Sequence, residues 1–433
     1  MHVTSVPMKV QNLSVGMFVG MLDRPWLETP RIFQGFEIKD RHEIQQLQEY
    51  CSQVYVEIER GKLAEKTIRA LAADGGRATR VLGADEKGPG GPAWLHRWVV
   101  RMGIRSLLAA RKRKRAGTYG ITSTVRREAP QAKEAYDKCV SAYLRIYDRT
   151  QRVSNVRIES VARSVTPLIQ SILRNPNAMA WTVFSQKRSG RNYSRAVARA
   201  VWAVMFGRHL GMDRMALQHL ACGALLMDIG NVDIADEIIE AEGAITHDEY
   251  KQVPAHVQAG VDILGRSKDI HPAIFEMVEY HHERYDGSGY PHGIKRSNIP
   301  AFGRIAGIVD CYDAMTTKTA YSPALAAYDA AREMNEMRDQ QFSGEVVEQF
   351  LHTIGMFPTG SIVEMSDGSA GLVLEQNPDN LLQPKVLILK SAKGLLLKKA
   401  RIMNPKDWEG RGLWIAKGHE HGAFGIDPME YFN

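Results

Sequence analysis

The stretch His281-His282-Glu283-Arg284-Tyr285-Asp286-Gly287-Ser288-Gly289-Tyr290-Pro291 constrains the fold more than any other part of the chain. Ahead of it, Ile274, Met277, Val278 and His281 keep the i, i+3, i+4, i+7 spacing of one helix face, and Pro272 suits a first helical turn. His281 and His282 therefore leave the end of a buried helix, about 100° apart around its axis. Gly287 and Gly289 permit backbone angles that other residues resist, so the following loop is able to fold tightly over a site. Two imidazoles on a buried helix also fit a hydrogen-bonded core. An adjacent pair followed at once by a rigid turn favours a metal or phosphate site instead.

A chain of 433 residues has room for two to four domains, and its 44% hydrophobic and 24% charged content is that of a soluble globular protein. Cys51, Cys139, Cys222 and Cys311 are widely spaced and form no CxxC pair, which points to a reducing compartment. No apolar run approaches the ~20 residues that span a bilayer, and Met1 to Gln11 lacks a signal-peptide core. The expected location is cytoplasmic, with peripheral attachment at the inner membrane as an option. The net charge of +7 is local. Arg97, Arg101, Arg105 and the run from Arg111 to Arg115 contribute eight positive charges within 93–115, and without them 48 basic residues face 49 acidic ones. That distribution excludes a generally nucleic-acid-like surface, so no sequence-specific nucleic acid is expected as a partner.

The expected architecture is multidomain. A small α+β domain occupies 1–71, with strands at Met17–Val19 and Val54–Val56 and a helical stretch near Arg41–Cys51. Residues 72–126 form a linker, with Gly75-Gly76 and Gly88-Pro89-Gly90-Gly91-Pro92, then a basic amphipathic segment. In that segment Trp94, Leu95, Trp98, Val99 and Met102 share a face. It reads either as a surface helix for anionic lipid or an acidic partner, or as a packing helix followed by a disordered basic run. Helical connectors fill 127–189, at Ala132–Tyr147 and Ile158–Leu173, the second ended by Asn175-Pro176-Asn177. An all-α bundle follows at 190–355. One of its helices carries Val197, Val201 and Val204 and closes at Gly211. Another runs from Asp213 to Gly230, and a third opens on a Thr246/Glu249 capping box and carries His256. Ser322-Pro323 and Ser343 are further helix starts. Residues 356–433 are a small antiparallel β appendage and tail: 357–403 switch to period two, with a hairpin turn at Asp367-Gly368, and the last thirty residues give no clear signal.

The string from His281 to Pro291 resembles the signature of the HD-GYP family, metal-dependent phosphodiesterases of the bacterial messenger cyclic di-GMP. Val15–Val19, Leu22–Trp26, Phe33–Phe36 and Val54–Glu57 resemble the small domain of unknown function that often precedes it. The resemblance implies an HD-type helical bundle and a metal site. Asp228 matches the Asp of the family's His-Asp pair, His256 the mid-domain His, His281 and His282 the pair before the loop, and Asp310 the final carboxylate. Ligand contacts are implied for Arg284, Asp286, Gly287, Gly289, Tyr290, Pro291 and Tyr321.

The departures fall on chemistry. Met227 stands where the family has the His of the His-Asp pair, and a thioether is a poor ligand for a hard cation. Asn231 stands where the family has Lys. No His lies between His96 and His209, so the early His is lost; at the family spacing its place falls on Arg195, with Tyr193-Ser194 as the other local match, and the Arg195 guanidinium is expected where a second cation would sit. Thr319 and Ser322 replace two phosphate-facing basic residues. One divalent metal, Fe, Mn or Zn, is expected, with the second site lost. The resemblance thus implies a degenerate HD-GYP protein of cyclic di-GMP signalling, acting by ligand binding or by contact of its loop with GGDEF-type diguanylate cyclases, with a homodimer as an option. The rival readings are an active cyclic di-GMP phosphodiesterase and a membrane-surface or polyanion adaptor working through 93–115.

Overall fold

The computed structural model describes residues 5–22, 36–38, 41–58, 119–186, 192–233, 254–317, 324–377, 380–407, 413–420 and 422–431. The chain divides into two compact units. The first comprises Met1–Gly117, Asn377–Gln383 and Pro405–Ala416, and the second Thr118–Gln376, Pro384–Asn404 and Lys417–Asn433.

In the first unit, β1 (Ser5–Lys9), β2 (Phe18–Leu22), β3 (Phe36–Glu37) and β4 (Gln53–Glu57) form an antiparallel sheet of order β1-β4-β2-β3. Pairing of Val6 with Val56 and Met8 with Val54 keeps the alternate residues of both strands in register. With Val19, these residues pack against Ile38 and against Leu47 of helix α1 (Arg41–Tyr50). This is the expected small α+β domain.

The second unit begins with α2 (Val125–Val153), α3 (Ile158–Arg174) and α4 (Pro176–Gln186). Thr124 caps α2 by accepting from the Arg127 N–H. The buried Glu128 carboxylate binds Arg174 at 2.7 Å and the Ser171 hydroxyl at 2.8 Å, which fastens the end of α3 to the start of α2. Helix α4 was not expected as a separate element. Pro176 ends α3, but at a first helical position it also starts the next helix, where its missing N–H costs nothing.

The bundle continues with α5 (Asn192–His209), α6 (Arg214–Leu226), a 3-10 turn at Ile229–Asp233, α7 (Ala255–Gly265), α8 (Pro272–Tyr280), α9 (Ala301–Thr316), α10 (Ala327–Glu336) and α11 (Gly344–Ile354). A ladder of edge-on rings (Phe184, Trp202, Tyr312, Phe350, Phe206) at centroid spacings of 5.4–5.6 Å ties α4, α5, α9 and α11 into one core. The helix expected to run from Asp213 to Gly230 stops at Leu226, because the chain must turn so that Gly230 seats against the backbone of α7. Strands β5 (Ile362–Met365), β6 (Ala370–Glu375), β7 (Lys385–Lys390), β8 (Leu396–Met403) and β9 (Ile415–His419) make an antiparallel sheet of order β8-β7-β6-β5-β9. Its first hairpin turns at Asp367-Gly368, where Gly368 has φ +81° and Asp367 accepts the Ser369 N–H at 2.9 Å. The last strand lies in a tail where the sequence shows no pattern.

No helix among the described residues is long and apolar enough to cross a membrane. Several expectations lie outside the described residues: the linker at 72–92, the basic segment at 93–115, the Thr246/Glu249 capping box, and residues 319–323 with Tyr321.

Candidate metal centre

Two glycines set the geometry. A Cβ on Gly230 would overlap the His256 carbonyl and the Gly260 N–H, so the 3-10 turn and α7 approach to backbone contact. That brings Asp228, in the turn after α6, beside His256 on the buried face of α7. Helix α8 ends at Tyr280, with His281 at its C-cap and His282 next. The result is a cluster of four: Asp228, His256, His281 and His282 each offer one ligand atom, and all of these lie within 4.8 Å of one another.

The tautomer of His281 follows from its neighbours. Its Nδ1 lies 2.8 Å from the Val278 carbonyl, which only accepts, so Nδ1 carries the proton and the Nε2 lone pair faces the cluster. His256 Nε2 is 3.2 Å from that nitrogen. Asp228 Oδ1 is 3.5 Å from His256 Nε2 and 3.6 Å from His281 Nε2. His256 and His281 are buried, whereas Asp228 and His282 are partly exposed and form the open side. Burial, with the nearby His281, pushes His282 down to about 2, so it is a neutral ring with a lone pair to give. Three imidazole nitrogens and one carboxylate oxygen suit a single divalent ion of the Zn, Fe or Mn kind better than Mg or Ca.

The second half of the expected constellation is built differently. Asp310 does not join the four ligands; on α9, it accepts from Arg199 Nη1 at 2.7 Å. The same nitrogen lies 2.6 Å from Asp228 Oδ2. Burial, the largest single influence, would raise both carboxyls, but the Arg199 guanidinium and the neighbouring histidines together outweigh it, holding Asp228 well below the carboxylate range and Asp310 at about 2. Arg195, expected in the role of the second cation, sits one helical turn away and pairs with the buried Asp313 at 3.1 Å. Arg195 and Arg199 share one face of α5 at i, i+4, so sequence spacing places both near the site without saying which reaches it. The available signal was the company Arg199 keeps, a cation amid Ala196, Val197, Ala198, Ala200, Val201 and Trp202. Met227 is fully buried, and Asn231 is half-buried with its N–H on the Asp228 carbonyl.

The loop after the histidines is held from inside. Glu283 is 3% exposed, and its carboxylate accepts the N–H groups of His292, Gly293 and Ile294 at 2.7–3.1 Å. Sequence reasoning missed this anchor, because nothing local distinguishes it from a solvated acid. A Cβ on Gly289 would strike the His282 carbonyl and the Arg284 N–H, and Gly287 has φ +83°. Tyr290, which precedes a cis peptide to Pro291, stacks on the His282 ring at 4.6 Å. Arg284 turns back to the His281 and Glu283 carbonyls and lies over Phe342, while the exposed Asp286 accepts from Ser288. Both side chains are thus engaged within the loop. On the Arg199 side, Tyr143 of α2 is buried close enough to Arg199 and Asp228 for their charges to act on its hydroxyl, and burial pushes that hydroxyl up.

The HD domain family matches residues 180–346, and a domain of unknown function, DUF3391, matches residues 5–161. Cyclic di-GMP phosphodiesterase PA4108 of Pseudomonas aeruginosa is 29% identical over 62% of this chain and 63% of its own length. A cyclic di-GMP phosphodiesterase of Thermotoga maritima is 36% identical over 33% of this chain and 39% of its own. The chain therefore spans less than two thirds of the length of either relative. A solved HD-GYP-type protein, Bd1817 of Bdellovibrio bacteriovorus, aligns over 80% of this chain and 98% of its own at TM-score 0.44 and 11% identity.

Proposed function

We infer that this member of the HD-GYP family, a DUF3391 domain ahead of an HD domain, is a cyclic di-GMP signalling protein whose HD domain holds one divalent metal and binds the dinucleotide with little or no hydrolysis. The observation that carries the reading is the four-donor cluster ending at Asp228, beside a fully buried Met227 where the family has another histidine. A metal held there supplies Lewis acidity toward a phosphodiester oxygen. The chain's own residues do the rest. Asp228 and the three imidazoles hold that metal in place, Tyr290 fixes the His282 ring by stacking, and Glu283 holds the loop that follows the histidines. With Asn231 for Lys and Met227 for His, the site lacks groups that would act more strongly on the transition state than on the bound ligand, so turnover suffers more than binding.

The exposed rim of the loop at Asp286 and Ser288 is the surface we assign to a protein partner, with a GGDEF-type diguanylate cyclase as the family-based choice. The intact four-donor set also favours a second reading, a working phosphodiesterase with a single metal. Equilibrium dialysis of the Mn2+-loaded protein against cyclic di-GMP, followed by chromatography of the recovered nucleotide, separates the two. The first reading expects saturable binding with the ligand recovered intact. Conversion to linear dinucleotide or GMP during dialysis supports the second, and no binding at all contradicts both.

A further inference from the structure

Resting on the single-metal reading above, we propose that Arg199 is a built-in second cation. Its guanidinium stands between Asp228 and Asp310 as a second metal ion would, and it limits the site to one metal per chain. One nitrogen, Nη1, reaches both carboxylates, at 2.6 Å and 2.7 Å, in a side chain only 3% exposed. The two oxygens of Asp228 divide their roles. Oδ1 faces His256 and His281, and Oδ2 faces Arg199. That is the posture of a carboxylate bridging two positive centres, with one of the two supplied by the protein.

The alternatives are used up. Arg195 is taken by Asp313. Met227 offers only a thioether. The other Arg199 contacts also point to the carboxylates as what fixes it, since its buried Nε has no hydrogen-bond partner among the described residues. An arginine does not lose its proton inside a protein. The positive charge between Asp228 and Asp310 is therefore permanent and independent of metal supply. The buried Asp310 and the partly exposed Asp228, which a dinuclear site would leave in need of a second ion, already share a positive charge here.

The test counts metal in the full chain. Protein stripped with chelator is loaded anaerobically with excess Mn2+, desalted, and its Mn2+ content measured by mass spectrometry for wild type, Arg199→Lys and Arg199→Gln. Wild type and Arg199→Lys are expected to hold one ion per chain, because both keep the cation. Arg199→Gln should rise toward two, since it frees Asp310 and Asp228 Oδ2 and adds an amide oxygen. A folded Arg199→Gln protein that still holds one ion overturns the assignment and leaves the single-metal reading standing. Wild type holding none contradicts the single-metal reading itself, and wild type holding two overturns the role of Arg199. Should Arg199→Gln be unfolded when stripped, near-UV circular dichroism with added Mn2+ reads the same point. Mn2+ is expected to restore the folded signal, and a variant that Mn2+ leaves unfolded overturns the proposal.

Discussion

Glu283 and Arg199 are both charges taken into the interior, and they are satisfied in different ways. Glu283 is paid no cation; three backbone N–H groups surround it. Removing the carboxylate strands all three donors, so Glu283→Ala should cost about 3 kcal/mol or more of stability. Ser288→Ala, on the exposed rim, should change stability by less than about 1 kcal/mol. Urea unfolding of the two variants checks this, and equal midpoints would show that the loop is held by something else. A half-buried group gives a pH signature away from the metal centre. Burial in α11, aided by the charge of His209, lowers His352 from 6.5 to about 4. Between those values the unfolded chain takes up a proton that the folded chain refuses, so His352 contributes stability above about pH 6.5 that is lost progressively as pH falls toward about 4. Stability measured across that window should fall less steeply in His352→Gln than in wild type, and parallel slopes would contradict the shift.

Helices place the site, and the close contact of the 3-10 turn with α7 is its tightest tolerance. Gly230→Ala puts a methyl group into the His256 carbonyl, which should destabilise the protein by roughly 3 kcal/mol and separate Asp228 from His256. Thermal unfolding with and without Zn2+ checks it, since the variant should lose both stability and most of the rise in midpoint that Zn2+ gives wild type. Elements were legible in the sequence wherever apolar period meets a start, stop or turn signal, as in α3 at its Asn175-Pro176 end, α6 at its Asp213 cap, and the Asp367-Gly368 hairpin. The misses share one physical cause: tertiary contact decided what local pattern left open. Pro176 reads as a breaker and serves equally as a helix start. The end of α6 is set by the packing of Gly230, not by its own residues. Arg195 and Arg199 lie on one face of one helix, and only the positions of Asp310 and Asp313 on α9 decide which arginine meets which acid.

At the scale of the whole chain, residues 180–346 match the HD domain family, and the region matched to DUF3391 reaches residue 161. That region includes α2, whose Tyr143 lies near Arg199 and Asp228, so the sequence matched to the N-terminal family extends to the wall of the metal centre. On the proposed function, this centre keeps the ligands for one metal, carries its second positive charge on Arg199, and so separates recognition of cyclic di-GMP from its hydrolysis. The most direct measurement is turnover of cyclic di-GMP by the full chain with Mn2+ or Fe2+ supplied without oxygen, beside the same assay on His281→Ala. Turnover is expected to be absent or at least ~100-fold below that of a family member with both metal sites, a loss of about 2.7 kcal/mol or more in transition-state stabilisation. Robust turnover by the unmodified chain, abolished in His281→Ala, would contradict it.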